Sequence, residues 1–461
     1  MLVNPTAKAI AELLTAAKES SDLSSRVTSG TPFLCELKHL PHETEDLLIF
    51  EGRTKRNGVI AAQHIIGYRQ NGEGVAGLEK AYHELLSSCD YSADITLTVD
   101  AHGAMLAGGE TEAVYKGQPD GGIVTTLDLE IQKITDTALQ KALPQAGAAI
   151  VMDCANGDIL AISSSPVYDP DHLADALDAP NAPFLNRALC AYNVGSVFKL
   201  AIASAALESG ETAGYQYDCS GSIDIHGQMF RCHRTEGHGL LDLQNALTKS
   251  CNPYFISLTR MVPAETLLHT AEMLGFGQPI ALAPGISADA GVLQTLSALH
   301  IPAEKANFSF GQGKLLATPL HIAAMTACIA NHGVYSVPRL IIGETSDGIS
   351  LTRETGEFSH RALTATTADT VKDLMVGVLS GSAGSNGIPS NTTAGGKTST
   401  AQTGQTKTDG EELCHAWMTG FFPAEHPQYA VTVMIENGGS GNDAAAPVFR
   451  RIIEEITRLQ S

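Results

Sequence analysis

The chain has 461 residues, 43% of them hydrophobic and 17% charged, which supplies a sizeable core and suggests two or three domains. Its formal net charge of −21 argues against nucleic acid or an anionic membrane as a partner, because both select clustered Lys and Arg. No apolar run is long enough to span a bilayer, and the nine cysteines, odd in number and mostly set in apolar stretches, do not read as a disulfide framework.

In chain order, the N-terminal segment MLVNPTAKAIAELLTAAKESSDL has an amphipathic helix pattern without the apolar centre of a secretory signal. A turn-rich stretch, Gly117 to Gly122, closes a smaller module over residues 1–121. The segment IVTTLDLEIQKITDTALQKAL then reads as a short strand running into an amphipathic helix. GAAIVMDCANGDILAISSS places two apolar runs about Asn156-Gly157, the pattern of an antiparallel hairpin. Far along the chain GGKTSTAQT, CHAWMTGFFP and YAVTVMIEN read as three more strands, and PVFRRIIEEITRLQ as a helix. Strands at both ends of a mainly helical region predict an α+β fold over 122–461, with one central antiparallel sheet flanked by helices.

Three short stretches carry the chemistry: Ser196-Val197-Phe198-Lys199, Ser250-Cys251-Asn252 and Lys397-Thr398-Ser399. Each alone is commonplace; their order and spacing carry the weight. SVFKLAIASAALESG has a helical composition and ends at Gly210, so Ser196 falls at a helix start with Lys199 on the same face. A serine hydroxyl becomes a nucleophile only when a base takes its proton, and a lysine is such a base only when desolvation or nearby cations lower its pKa. The helix N-terminus adds N–H groups suited to an oxyanion. Ser250-Cys251-Asn252 lies between two helical patterns, where Asn252 either caps the second, with Pro253 at its first position, or points a side-chain amide at a cleft. Lys397-Thr398-Ser399-Thr400 offers one cation and three hydroxyls on a strand that an extended peptide could pair with.

S-x-x-K, S-x-N and K-T-G in this order form the signature of penicillin-binding proteins and class A β-lactamases. The chain resembles a class B penicillin-binding protein, a peptidoglycan D,D-transpeptidase, over roughly residues 55–461. Stretches such as LNRALCAYNVGSVFKLAIASAALESG, FSFGQGKLLATPLHIAAMTACIANHG and AAQHIIGYRQNGEGVAGLEKAYHELLSS carry the likeness beyond the motifs. The resemblance implies a transpeptidase/β-lactamase-like domain on a small N-terminal pedestal, with no cofactor and no catalytic metal. It implies that Ser196 attacks the stem peptide at D-Ala-D-Ala, with Lys199 as base, Ser250 as proton relay, Asn252 on the substrate amide and Lys397 as a source of positive potential. Thr398 and Thr400 would bind the terminal carboxylate, and the N–H groups of Ser196 and Thr400 would form the oxyanion hole. Implied partners are stem peptides, β-lactams and other cell-wall synthesis proteins, at the extracytoplasmic face of a bacterial membrane to which the native protein is anchored.

Two features depart from that family. Position 399 is Ser where Gly is usual, which either narrows the cleft or points away from it; no membrane anchor is recognisable. Ser399 and the small pedestal keep open a catalytically silent β-lactam-binding or cell-wall scaffold protein; a second enzyme alternative is a D,D-carboxypeptidase or β-lactamase using water as acceptor. Cys219, His226, Cys232, His233 and His238 cluster within twenty residues without fitting a standard zinc finger, and a Cys219–Cys232 disulfide is the favoured reading in an oxidising compartment, with two free thiols as the alternative. The single tryptophan, Trp417, reads as sheet core.

Overall fold

The computed structural model describes residues 58–460 except 91, 99, 102–109, 118–119, 143–145, 211–213, 354–358, 382–385 and 407–409; before residue 58 it describes 7–17, 23, 35, 37–39 and 41. Part of the turn-rich stretch at Gly117 to Gly122 therefore lies outside the described residues. The chain divides into two compact units, each discontinuous in sequence. One takes Met1–Asn57, Glu84–Ile123 and Glu344–Thr352; the other takes Gly58–His83, Val124–Gly343 and Arg353–Ser461.

In the first unit the amphipathic pattern near the N-terminus forms a helix over Ala7–Ala16. Its buried Ala9 and Leu13, one turn apart, cluster with Ala17 and Leu23. Strands Ser92–Leu97 and Thr111–Lys116 pair antiparallel in the same unit.

The second unit is built on a five-stranded antiparallel sheet. Its strands are β1 (Gly147–Asp153), β2 (Ile159–Ser165), β3 (Gly395–Thr406), β4 (Glu412–Phe422) and β5 (Tyr429–Ile435), in the spatial order β3-β4-β5-β1-β2. Six helices matter for the site: α1 (Leu129–Gln140), α2 (Lys199–Glu208), α3 (Leu243–Thr248), α4 (Asn252–Thr259), α5 (Pro319–Ala330) and α6 (Ala446–Leu459). The hairpin about Asn156-Gly157 and the three distal strands are those expected from the sequence.

Helices α1 and α6 cover one face of the sheet. Ile131, Ala138 and Leu139 of α1 and Phe449, Ile452, Ile453 and Ile456 of α6 form one core with Val151, Met418, Val431 and Val433. Asp128 starts α1 by accepting the N–H groups of Glu130 and Ile131 at 2.9 and 3.0 Å. On the sheet, Thr419 shares hydrogen bonds with Thr432 and with Thr326 of α5, each 2.7 Å long and buried. Every residue of α5 is buried, which is why its sequence is apolar on all sides. With both faces covered, β1 and β5 read as nearly continuous apolar runs and not as an alternation. Trp417 is fully buried in the sheet and donates its indole N–H to the Asn193 carbonyl at 2.9 Å. β3 lies at the edge of the sheet, so the third motif sits on a strand with one side unpaired in the sheet.

Candidate active site

Ser196 lies on a 3₁₀ turn, Gly195–Phe198, that runs directly into α2, whose first residue is Lys199. Residues three apart eclipse in such a turn, so the two side chains stand on one face. Gly195 makes the turn possible. Its φ is +58°, and a Cβ there would come within 2.5 Å of Ser399 Oγ and 3.1 Å of Ala401. Its N–H donates to the Gly311 carbonyl at 3.0 Å, tying the turn to the FGQG segment. Phe198, wholly buried, packs edge-on against Phe276 and Phe308 with ring centres 5.1 and 4.9 Å away.

Lys199 is completely buried. Its Nζ donates to the Ser250 carbonyl at 2.8 Å, to Ser250 Oγ at 3.2 Å and to Asn252 Oδ1 at 2.7 Å, and lies 5.4 Å from the centre of the Phe255 ring. Burial pushes its pKa well below the ordinary lysine value, and the charge of Lys397 pushes it further down. Lys397 reaches in from β3, paired in register with Thr419 of β4. Its Nζ donates to the Thr398 carbonyl at 2.7 Å and to Ser250 Oγ at 3.3 Å, and burial brings its pKa down to about 8. The Ser250 hydroxyl therefore bridges two buried amines, one from each of the other motifs.

Ser250 joins α3 to α4 with a φ of +49°, a left-handed conformation that costs a non-glycine residue about 1–2 kcal/mol. That conformation aims its carbonyl and its hydroxyl at the same amine. Asn252 does not cap α4: the N-cap is Cys251, and Asn252 is the first helical residue with its side chain on Lys199. Of the two sequence readings the helix cap is not the one observed; the Asn252 side-chain oxygen is taken up instead by Lys199 Nζ at 2.7 Å.

Along β3 successive side chains alternate, so Lys397 and Ser399 share one face and Thr398 and Thr400 the other. Thr398 is half-buried; Thr400 is exposed, and its hydroxyl accepts the Gly441 N–H at 3.3 Å. Ser399 is buried, and its Oγ accepts the backbone N–H of Ser196 at 2.7 Å. It does not point away from the turn that carries Ser196. This contact, the Gly311 support and the glycine requirement at position 195 were not read from the sequence; the only available signals were Gly195 before the motif and the unusual Ser after Lys397-Thr398. All nine cysteines are free, so Cys219 and Cys232 are not bonded to each other.

A fully buried lysine one turn from a serine, a serine held between two lysines, and a hydroxyl-rich edge strand define a serine acyl-transferase class of site. The Penicillin binding protein transpeptidase domain model matches residues 147–454, and the chain belongs to that family. It is 32% identical over 364 residues to the peptidoglycan D,D-transpeptidase PbpA of Mycobacterium tuberculosis, covering 73% of this chain and 72% of the relative. Stage V sporulation protein D of Bacillus subtilis is 28% identical over 85% of this chain and 62% of its own length. The penicillin G acyl-enzyme complex of penicillin-binding protein A from M. tuberculosis superimposes with a TM-score of 0.70 at 26% identity, covering 90% of this chain and 96% of that one.

Proposed function

We propose that the chain works as a peptidoglycan D,D-transpeptidase with Ser196 as nucleophile, and that β-lactams acylate the same hydroxyl. The observation that carries this reading is the meeting of all three motifs at Ser250, which receives Lys199 at 3.2 Å and Lys397 at 3.3 Å. Lys199, whose pKa burial lowers, takes the Ser196 proton as Oγ attacks the penultimate D-Ala carbonyl. The proton passes through Ser250 to the amine of the departing D-Ala, and an amine of a second stem peptide then resolves the ester. Asn252 holds the donor amide. Thr398 and Thr400 receive the terminal carboxylate, Lys397 supplies positive potential, and the N–H groups of Ser196 and Thr400 take the developing oxyanion.

Residues 1–121 serve as a pedestal and 122–461 as the catalytic domain. The relatives named as peptidoglycan transpeptidases support a place on the extracytoplasmic face of a bacterial membrane; a membrane anchor and other cell-wall synthesis proteins as partners belong to the same proposal. Among the described residues no helix is long and apolar enough to cross a membrane.

One observation favours a second reading, a β-lactam-binding or cell-wall scaffold protein without turnover: Ser399 Oγ already occupies the Ser196 N–H at 2.7 Å. Transpeptidation of a D-Ala-D-Ala donor peptide with an amine acceptor separates the readings. Cross-linked product supports the transpeptidase, release of D-Ala with water alone supports a carboxypeptidase, and no reaction supports the scaffold.

A further inference from the structure

Behind the second motif lies a cluster of side chains that acyl transfer does not use. Cys219, Cys232, His238 and Cys251 bring three thiols and one imidazole together, with all four donor atoms within 4.8 Å of one another. A tetrahedron built from Zn–S bonds of about 2.3 Å and a Zn–N bond of about 2.0 Å has edges of about 3.5–3.8 Å, so little movement separates this cluster from a coordination shell. Cys232 Sγ already lies 3.4 Å from His238 Nδ1. The three cysteines are buried, with exposures of 1%, 3% and 0% for Cys219, Cys232 and Cys251, so water does not compete for the site.

The backbone holds the four positions in place. Cys219 ends the strand Tyr217–Cys219, Cys232 follows the strand Gln228–Arg231, His238 precedes the strand Gly239–Leu241, and Cys251 is the N-cap of α4. The His238 N–H donates to the Cys219 carbonyl at 2.9 Å, and the Cys232 N–H to the Gly221 carbonyl at 2.8 Å. Gly237 has a φ of +83°, and a Cβ there would meet the Cys219 carbonyl oxygen at 2.0 Å, so the loop closes on the cluster only with glycine. Two thiols would read as a disulfide; three thiols with an imidazole, on two short hairpins and a helix start, read as a metal site.

We propose that Cys219, Cys232, His238 and Cys251 bind one structural zinc ion. On binding, the three thiols give their protons to solvent and coordinate as thiolates, and His238 coordinates as the neutral imidazole. With four protein ligands the ion has no open position for substrate, and its role is to fix the chain. Cys251 stands between Ser250 and Asn252, so the ion pins the corner that presents both residues to Lys199. Only this consequence for acylation rests on the functional reading above; the metal content does not.

The test uses the full chain, purified without a metal-affinity step and dialysed against a weak chelator. Elemental analysis is expected to give one zinc per chain, and mercurial titration of the thiols to release it. Cobalt exchanged for zinc is expected to show the intense thiolate-to-metal and d–d absorption of a tetrahedral thiolate site. Cys232→Ser and His238→Ala are expected to lose the metal at least tenfold in occupancy, whereas Cys414→Ser, outside the cluster, keeps it. The wild-type measurement stands even if a variant fails to fold. Zinc well below one per chain after growth with added zinc and failure of the chain to take up Zn²⁺ or Co²⁺ would overturn the proposal, as would stoichiometric iron or copper. A Cys219–Cys232 disulfide in the mass spectrum would overturn it as well.

Discussion

The hydroxyl of Ser399 accepts the backbone N–H of Ser196 at 2.7 Å, joining the third motif to the turn that carries Ser196 through the N–H that the functional reading assigns to the oxyanion. A substrate carbonyl must displace that hydroxyl to use the same donor. A full oxyanion donor is worth about 10²–10³ in rate, and the hydrogen bond to be broken costs about 1 kcal/mol. Ser399→Ala, which removes the hydroxyl and keeps the Cβ, should therefore raise the second-order rate of β-lactam acylation by roughly fivefold. Ser399→Gly should add a further gain that grows with β-lactam size, because it also removes the hydroxymethyl bulk. Stopped-flow acylation with small and bulky β-lactams measures both; equal rates in all three proteins would show that the hydroxyl is no obstacle.

Lys199→Ala should slow acylation by about 10²–10⁴, the usual contribution of a general base. It also strands the Ser250 carbonyl and Asn252 Oδ1 without their shared donor. Second-order acylation rates and a circular-dichroism check of folding test this. A rate near that of the wild type would move the base to Lys397.

The pH dependence follows from the two amines. Lys199 must be neutral to take a proton, and its pKa lies well below the ordinary lysine value, so acylation rises with pH through that lowered value. Lys397 must be charged to attract a carboxylate, and it loses its proton as pH rises through about 8, so the rate then falls. A bell-shaped profile with its descending limb near pH 8 is expected, its two apparent pKa values belonging to the coupled pair. Lys397→Ala removes the cation that depresses Lys199, so the ascending limb should move to higher pH. An unchanged ascending limb in that variant would refute the coupling.

Phe198→Ala should cost about 3–5 kcal/mol of stability, the usual range for emptying a buried aromatic site. The ring is fully buried between Phe276 and Phe308 and anchors the turn carrying Ser196. Urea denaturation gives the value; a loss below about 1 kcal/mol would mean that the neighbouring rings collapse into the gap.

Much of the catalytic unit was legible because local pattern and tertiary role agree there. The apolar runs of β1, β2 and β5 and the periodicity of α6 survive in the fold because each segment's burial matches its sequence. The three motifs were legible by order, since their residue types carry the chemistry. Contacts across long sequence separations were not. Nothing local to Ser399 says that it meets Ser196, and nothing near Cys219 says that Cys251 completes its cluster. Asn252 was ambiguous for a related reason: the pattern before Pro253 suits both a cap and a side chain engaged elsewhere, and only the position of Lys199 shows that it is not the cap. The discontinuity of the two units, with Gly58–His83 in one and Glu344–Thr352 in the other, likewise left no mark in composition.

The most direct test of the central claim is peptide mapping after reaction with penicillin G. The account predicts a single stable penicilloyl adduct on Ser196 in the wild-type chain, and none in Ser196→Ala with its fold intact. An adduct on another residue, or undiminished labelling of Ser196→Ala, would contradict it.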